Sequence, residues 1–260
     1  MTARIYQTAD WYDVPRLYDI VFEEDTEKEA DFLEAMLDRY GRTGRRRVLE
    51  PACGSGRLME AMARRGYRVT GFDRNPAMVE YTRKRLADVS GRVFEARMEG
   101  FSAKGTYELA HCLVSTFKYV GSEAGAVSHL RAVARALVPG GLYVLGLHLS
   151  QYGLRSRTRE RWVGARNGTT VICNIQQWPA NRQRRTEQVR SRLIVTTRGE
   201  ERRYETNWMF RTYDASQLRA LFRAVPSLEH VATYDFTYEL GRERVLNDDQ
   251  LDVVAVLQKR

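Results

Sequence analysis

The residue pattern predicts an α/β fold: a doubly wound, mostly parallel seven-stranded sheet carrying an inserted antiparallel β segment. Two observations predict it. Strand-like and helix-like segments alternate strictly through the first 150 residues, which calls for right-handed crossovers between parallel strands. From residue 151 to 212 helical spacing gives way to successive period-two runs, the pattern of antiparallel strands.

Apolar residues Ala30, Phe32, Leu33, Met36, Leu37 and Tyr40 recur at helical spacing between Asp25 and Gly41, where glycine stops the helix. RVLEP at 47–51 is a short strand, RLMEAMARRG at 57–66 a helix, and YRVTGFD at 67–73 a second strand. Pro76 then opens a helix, since a proline at the first helical position gives up no needed hydrogen bond. GRVFEA and YELAHCLVS are strands, EAGAVSHLRAVARALV a helix, and GLYVLGLHL the fifth strand. In RYETNWMFR, Tyr204, Thr206, Trp208 and Phe210 share one face, and Arg203, Glu205, Asn207 and Arg211 the other. The α/β pattern returns with a helix from Asp214 and strands SLEHVATYDF and LDVVAVLQK, so the core spans 1–150 and 213–260 and the insertion 151–212.

At 260 residues, with 43% hydrophobic and 29% charged residues, the chain forms a core and is not disordered. No run of about 18 apolar residues and no leader-like apolar start appear, so a soluble cytoplasmic protein without membrane contact is expected. Cys53, Cys112 and Cys173 are widely spaced and lack paired Cys/His neighbours, so neither a disulfide framework nor a metal site is expected. The formal charge is +9, and residues 151–212 alone hold 14 arginines, no lysine and 5 glutamates, again +9. Such a segment suits an anionic ligand, RNA, or simply a solvated strand face.

The chemistry-bearing motif is the turn ACGSGRL after RVLEP. Small residues at 52, 54, 55 and 56 permit a tight strand-to-helix turn and close ligand approach, and the helix N-terminus offers free amides. Asp73, ending the next strand, is placed to accept both hydroxyls of a ribose. A GxGxxG dinucleotide fingerprint would need glycine at 52 and 57, where alanine and arginine stand.

VLEPACGSGRL followed by GFDRNPAMVEYTRKRL resembles the class I S-adenosylmethionine-dependent methyltransferases, over about residues 45–148. The resemblance implies a Rossmann-like fold and S-adenosylmethionine as cofactor, leaving S-adenosylhomocysteine. It places Glu50 at the amino group of the cofactor's methionine part, Ala52, Cys53, Gly54, Ser55 and Gly56 along its backbone, and Asp73 on the ribose. Arg74 and Met98 would flank the adenine, and Leu113 and Val114 would lie beside the sulfonium. Arg97 stands where the family pattern has an acidic residue, so Glu99 or a backbone group is expected to meet the adenine amino group. Arg57, in place of a common third glycine, puts a cation near the methionine carboxylate.

Methyl transfer from a sulfonium needs alignment and dryness more than a nucleophile. An amine or hydroxyl acceptor must also lose a proton, for which His148, Tyr12 and Tyr18 are the candidate catalytic residues, with Trp11, Ser115, Thr116 and Lys118 nearby in the predicted order. VSTFKY follows the fourth strand where base-amine methyltransferases carry Asn/Asp-Pro-Pro-aromatic, and no Pro-Cys nucleophile is present. The insertion resembles that of sugar-amine and glycine-type N-methyltransferases, which implies a lid or an oligomer contact, with a homodimer as one partner. A small-molecule acceptor is the first expectation, its phosphate or carboxylate met by insertion arginines. An RNA methyltransferase, with Trp162, Trp178, Tyr204 and Trp208 stacking on bases, is the second. A cofactor-binding module without catalysis is the third.

Overall fold

In the computed structural model, which describes residues 5–41, 44, 46–103 and 106–260, the chain opens with a two-residue strand β1 (Gln7–Thr8) and a 3-10 turn at Trp11–Asp13. Helix α1 (Pro15–Phe22) follows, with its proline in the first turn, and then α2 (Thr26–Tyr40). Strands β2 (Arg47–Pro51), β3 (Arg68–Asp73), β4 (Gly91–Glu95), β5 (Tyr107–Cys112) and β6 (Leu137–His148) alternate with α3 (Arg57–Arg64), α4 (Pro76–Arg85) and α5 (Glu123–Ala136). The insertion is β7 (Thr158–Arg166), β8 (Thr169–Gln177), β9 (Thr186–Thr197) and β10 (Glu200–Arg211). Helix α6 (Ala215–Arg223), β11 (Leu228–Tyr234) and β12 (Asp252–Lys259) complete the chain.

The main sheet runs β11-β12-β6-β5-β2-β3-β4, with β12 antiparallel to both neighbours and the five strands from β6 to the β4 edge parallel, the mostly parallel seven-stranded sheet that the sequence predicts. Strand alternation sorts the core onto two faces. Leu49, Ala110, Leu145 and Ala255 meet α5 and α6 through Leu130, Val133 and Leu218. Val48, Leu109, Val144 and Val256 meet α2 and α3 through Phe32, Leu33, Met36 and Met62. Local signals set the helix starts: Asn75 accepts from the Ala77 and Met78 amides, Ser122 from Gly125, and Asp214 and Gln217 form a reciprocal capping box.

The second sheet runs β1-β10-β9-β8-β7, and its core joins the insertion to the N-terminal segment. Trp11, Leu17 and Ile20 pack with Val171, Cys173, Val189 and Leu193. Gly164 is required there, because a Cβ on it would strike the Ile20 carbonyl. The N-terminal segment is broken at Val14–Pro15 and packs with the insertion into one layer over the carboxyl ends of the parallel strands. Among the described residues no helix is long and apolar enough to cross a membrane.

Candidate active site

The turn after β2 is a sequence of left-handed residues, with φ of 52° at Ala52, 54° at Gly54 and 72° at Gly56. Glycine is needed at 56 twice over, for that φ and because a Cβ would collide with Thr82 on α4. Thr82 holds the turn from behind by donating to the Gly54 carbonyl at 2.7 Å. The turn faces Asp73, whose Oδ2 accepts from the Gly54 amide and whose Oδ1 accepts from the Asn75 amide, both at 2.9 Å. Each oxygen keeps a lone pair for a ligand hydroxyl. Burial raises the Asp73 pKa, and the two amides pull back against that rise.

Glu50 is the last residue but one of β2, just before the same turn. Burial pushes its carboxyl up to about 8, against the opposing charge of Arg57. Its Oε2 has no hydrogen-bond partner among the described residues, and His111 on β5 stands 3.9 Å away with both ring nitrogens also unpartnered. Burial pushes that imidazole down to about 3, so it is neutral. An orphaned buried carboxyl fits an arriving ammonium, and the Asp73 oxygens fit a ribose; the residues present suit S-adenosylmethionine.

Beside Asp73 lies a narrow cleft of about 70 Å³, bounded by Ala52, Gly54, Arg74 and Met98. It meets a cavity of about 460 Å³ at Tyr12, Tyr18, Thr116 and Tyr119, which line both. The cavity walls are aromatic, with Trp11, Phe22, Trp162, Trp208, Phe210 and Phe236 contributing. Glu24, Asp25 and Glu160 bring carboxylates, and the cavity's one arginine or lysine among the described residues, Arg57, is ion-paired to Glu29 at 2.5 Å. The Tyr12 and Tyr119 hydroxyls bond each other at 2.6 Å, and burial pushes the Tyr12 and Tyr18 phenols well above their ordinary range.

His148 reaches the cavity from the end of β6. Its Nδ1 is 2.6 Å from Asp252 Oδ1, the residue directly opposite it in the antiparallel β6–β12 register. Nε2 makes no hydrogen bond among the described residues. The His148 amide donates to Ser115 Oγ at 2.9 Å, anchoring the next wall. That wall is strained: Val114 and Ser115 have φ of 56° and 60°, costing about 1–3 kcal/mol each for residues with a Cβ.

Asp19 on α1 joins the cleft to the insertion. It is fully buried and accepts from Arg85 at 2.8 and 2.6 Å, Ser55 Oγ at 2.8 Å, Arg166 at 2.7 Å and Tyr81 at 3.2 Å. Burial alone would raise its pKa, but the bonds from Arg85, Arg166 and Ser55 outweigh it and hold the carboxyl below its ordinary value.

The structure thus brings Ala52, Gly54, Asp73, Arg74, Met98, Tyr12 and Tyr18 to the cleft, and Trp11, Val114, Ser115, Thr116 and His148 to the cavity. The Cys53 and Leu113 side chains are buried in the core, and Ser55 is committed to Asp19. Glu99 packs against Gly125 near the start of α5, outside the cleft lining, and Arg97 is exposed 3.8 Å from it. Three expectations are corrected. Arg57 spends its charge on Glu29 and Thr26 rather than standing free for a carboxylate. Lys118 is buried in an ion pair with Glu187 at 2.5 Å. None of the 14 insertion arginines lines the cavity; Arg166, Arg192 and Arg211 pair with Asp19, Glu205 and Glu123, because opposing strand and helix carboxylates lie closer than any ligand would. The aromatics proposed for base stacking are likewise committed, Trp162 and Trp208 to the cavity and Trp178 between Arg157 and Arg190.

Sequence reasoning missed Asp252, Asp19, Tyr119 and Glu160. The signal for Asp252 was its place at the head of the last strand, opposite the end of the fifth. The others carry no local mark.

Comparison with known proteins agrees with this geometry. Residues 48–141 match a family described as methyltransferase domain. That match lies on the strands and helices from β2 into β6, the part of the main sheet that carries the glycine turn and Asp73. A ubiquinone biosynthesis O-methyltransferase of Xanthomonas oryzae pv. oryzae is 32% identical over 115 residues, 43% of this chain and 45% of that one. The chain spans about half the length, or less, of the curated relatives it matches. Beyond the matched segment the whole fold is shared with DesVI of Streptomyces venezuelae, at TM-score 0.75 and 18% identity over 98% of this chain and 100% of that one. It is shared equally with KedS8, a sugar N-methyltransferase from Streptoalloteichus sp., at TM-score 0.74 and 18% identity over 100% and 98%.

Proposed function

We propose that the protein transfers a methyl group from S-adenosylmethionine to an amine on a small-molecule acceptor. The observation that carries this reading is the junction of the Asp73 cleft with an aromatic cavity whose unpaired charges among the described residues are acidic, in a chain of net charge +9. A cationic acceptor is drawn to such a site and stabilised over aromatic faces; a phosphate or carboxylate is not. KedS8, which shares the fold, is itself a sugar N-methyltransferase.

When bound, S-adenosylmethionine supplies an electrophilic methyl group on a sulfonium. Asp73 would hold the ribose hydroxyls and Glu50 the ammonium of the methionine part, while Arg74 and Met98 would border the adenine. The aromatic walls exclude water and keep the acceptor nitrogen in line. An ammonium has no lone pair, so it must first lose a proton. His148 Nε2 takes that proton, with Asp252 fixing the tautomer through Nδ1. Tyr12 and Tyr18 are too basic as phenolates to be formed near neutrality, so they act as walls and hydroxyl donors.

The test is calorimetric titration of S-adenosylhomocysteine, followed by measuring its release from S-adenosylmethionine with panels of amines, phenols and carboxylic acids. Binding with turnover of amines alone is expected. Turnover of phenols or acids alone would overturn the amine assignment, and binding without turnover of any acceptor would favour a non-catalytic module.

A further inference from the structure

The large cavity does not end at His148. A side chamber of about 120 Å³ shares His148, Glu160 and Gln177 with it and continues between the β6–β7 connection and the strands of the insertion. Its inner wall holds Ser150, which is 93% buried by its 7% exposure and whose hydroxyl has no hydrogen-bond partner among the described residues. The Ser150 main chain is fixed, its amide donating to the Tyr213 carbonyl at 2.8 Å, which keeps the residue on the chamber wall. A buried hydroxyl left without a partner is destabilising, and a polar group arriving in the chamber relieves that cost.

The walls also say which groups fit. Lys118 and Glu187 border the chamber but neutralise each other at 2.5 Å, so they present no net charge. Further out are Ser156 and Thr158, neutral hydrogen-bonding side chains, with Leu154 beside them. No unpaired lysine or arginine among the described residues lines the chamber, which leaves nothing to neutralise a phosphate or carboxylate.

We propose that this chamber is a second acceptor subsite, taking a neutral hydroxyl- or carbonyl-bearing part of the acceptor while its amine lies beside His148. The proposal rests on the amine reading above and deepens it. The acceptor is then two-part, a cationic head in the aromatic cavity and an uncharged polar arm against Ser150.

The experiment titrates protein saturated with S-adenosylhomocysteine with benzylamine, 4-acetamidobenzylamine and 4-(aminomethyl)benzoate. The acetamido compound is expected to bind at least tenfold more tightly than benzylamine, and the benzoate to show no such gain. Ser150→Ala, which removes the hydroxyl, and Ser156→Trp, which fills the chamber from its exposed end, are each expected to bring the acetamido-to-benzylamine ratio close to one. Equal binding of the first two compounds by the unmodified protein, or a ratio that survives both substitutions, overturns the subsite alone. A gain for the benzoate as large as that for the acetamido compound overturns its neutral character. Binding of none of the three overturns the amine reading and the subsite together. If S-adenosylhomocysteine itself fails to bind, the donor reading is what falls, and the same ratios measured on the protein alone still judge the chamber.

Discussion

The two halves of the site are built by different means. The proposed cofactor side is centred on backbone conformation within one short stretch, from Glu50 to Asn75, where left-handed residues and two amides present Asp73, with Met98, Tyr12 and Tyr18 closing the cleft from elsewhere. The acceptor side is assembled from side chains more than 200 residues apart, from Trp11 to Tyr238, and none of its elements makes a cavity alone. A locally encoded half tolerates change around it; an assembled half depends on the joint between its layers. Asp19 is that joint, since one carboxylate binds the turn through Ser55, α4 through Arg85 and the insertion through Arg166.

Breaking the joint gives the largest expected effect. Asp19→Ala leaves two arginines facing a hole and is expected to lower unfolding stability by about 3–5 kcal/mol in denaturant titration. S-adenosylhomocysteine affinity should fall with it at temperatures where the variant is folded. An unchanged affinity in the folded variant would show that the halves are independent after all.

His148→Asn probes the acceptor side alone. Turnover is expected to fall by about 10²–10⁴-fold, with S-adenosylhomocysteine affinity held, because a proton acceptor is lost and the donor cleft is untouched. Parallel losses in turnover and cofactor binding would erase the proposed division. Asp73→Ala is the converse, expected to weaken S-adenosylhomocysteine by about 1–3 kcal/mol by calorimetry while leaving the acceptor KM near its original value.

The smallest effect is a pH dependence on the cofactor side. Burial holds the Glu50 pKa at about 8 against an ordinary 4.5, so the ligand-free folded protein keeps a proton that the unfolded chain gives up. This group's contribution to stability is full below 4.5 and fades as pH rises through about 8. An ammonium beside Glu50 favours the carboxylate, so S-adenosylhomocysteine affinity should rise with pH across that window, by at most about tenfold per unit, with a proton released. Glu50→Gln should flatten the slope; a slope that persists would place the titrating group elsewhere.

The order of the elements, the seven strands and the glycine turn with its Asp73 were readable because each leaves a local trace: a period of 2 or 3.6, a cap, a small residue where φ must be positive. The antiparallel insertion was readable for the same reason, through the alternation around Trp208. The fate of its charge was not. Whether Arg166 meets a ligand or Asp19 depends on α1 lying across β7, a contact that composition does not carry.

The sequence by itself therefore determined the doubly wound sheet and the glycine turn that faces Asp73, since both follow from short-range backbone geometry. Tertiary structure alone decided that Arg57 and Lys118 are neutralised, that His148 is paired with Asp252, and that the cavity of a basic protein is acidic. Those outcomes depend on which side chains from distant elements come within about 3 Å, where desolvation and ion pairing reassign charges that the chain merely counts.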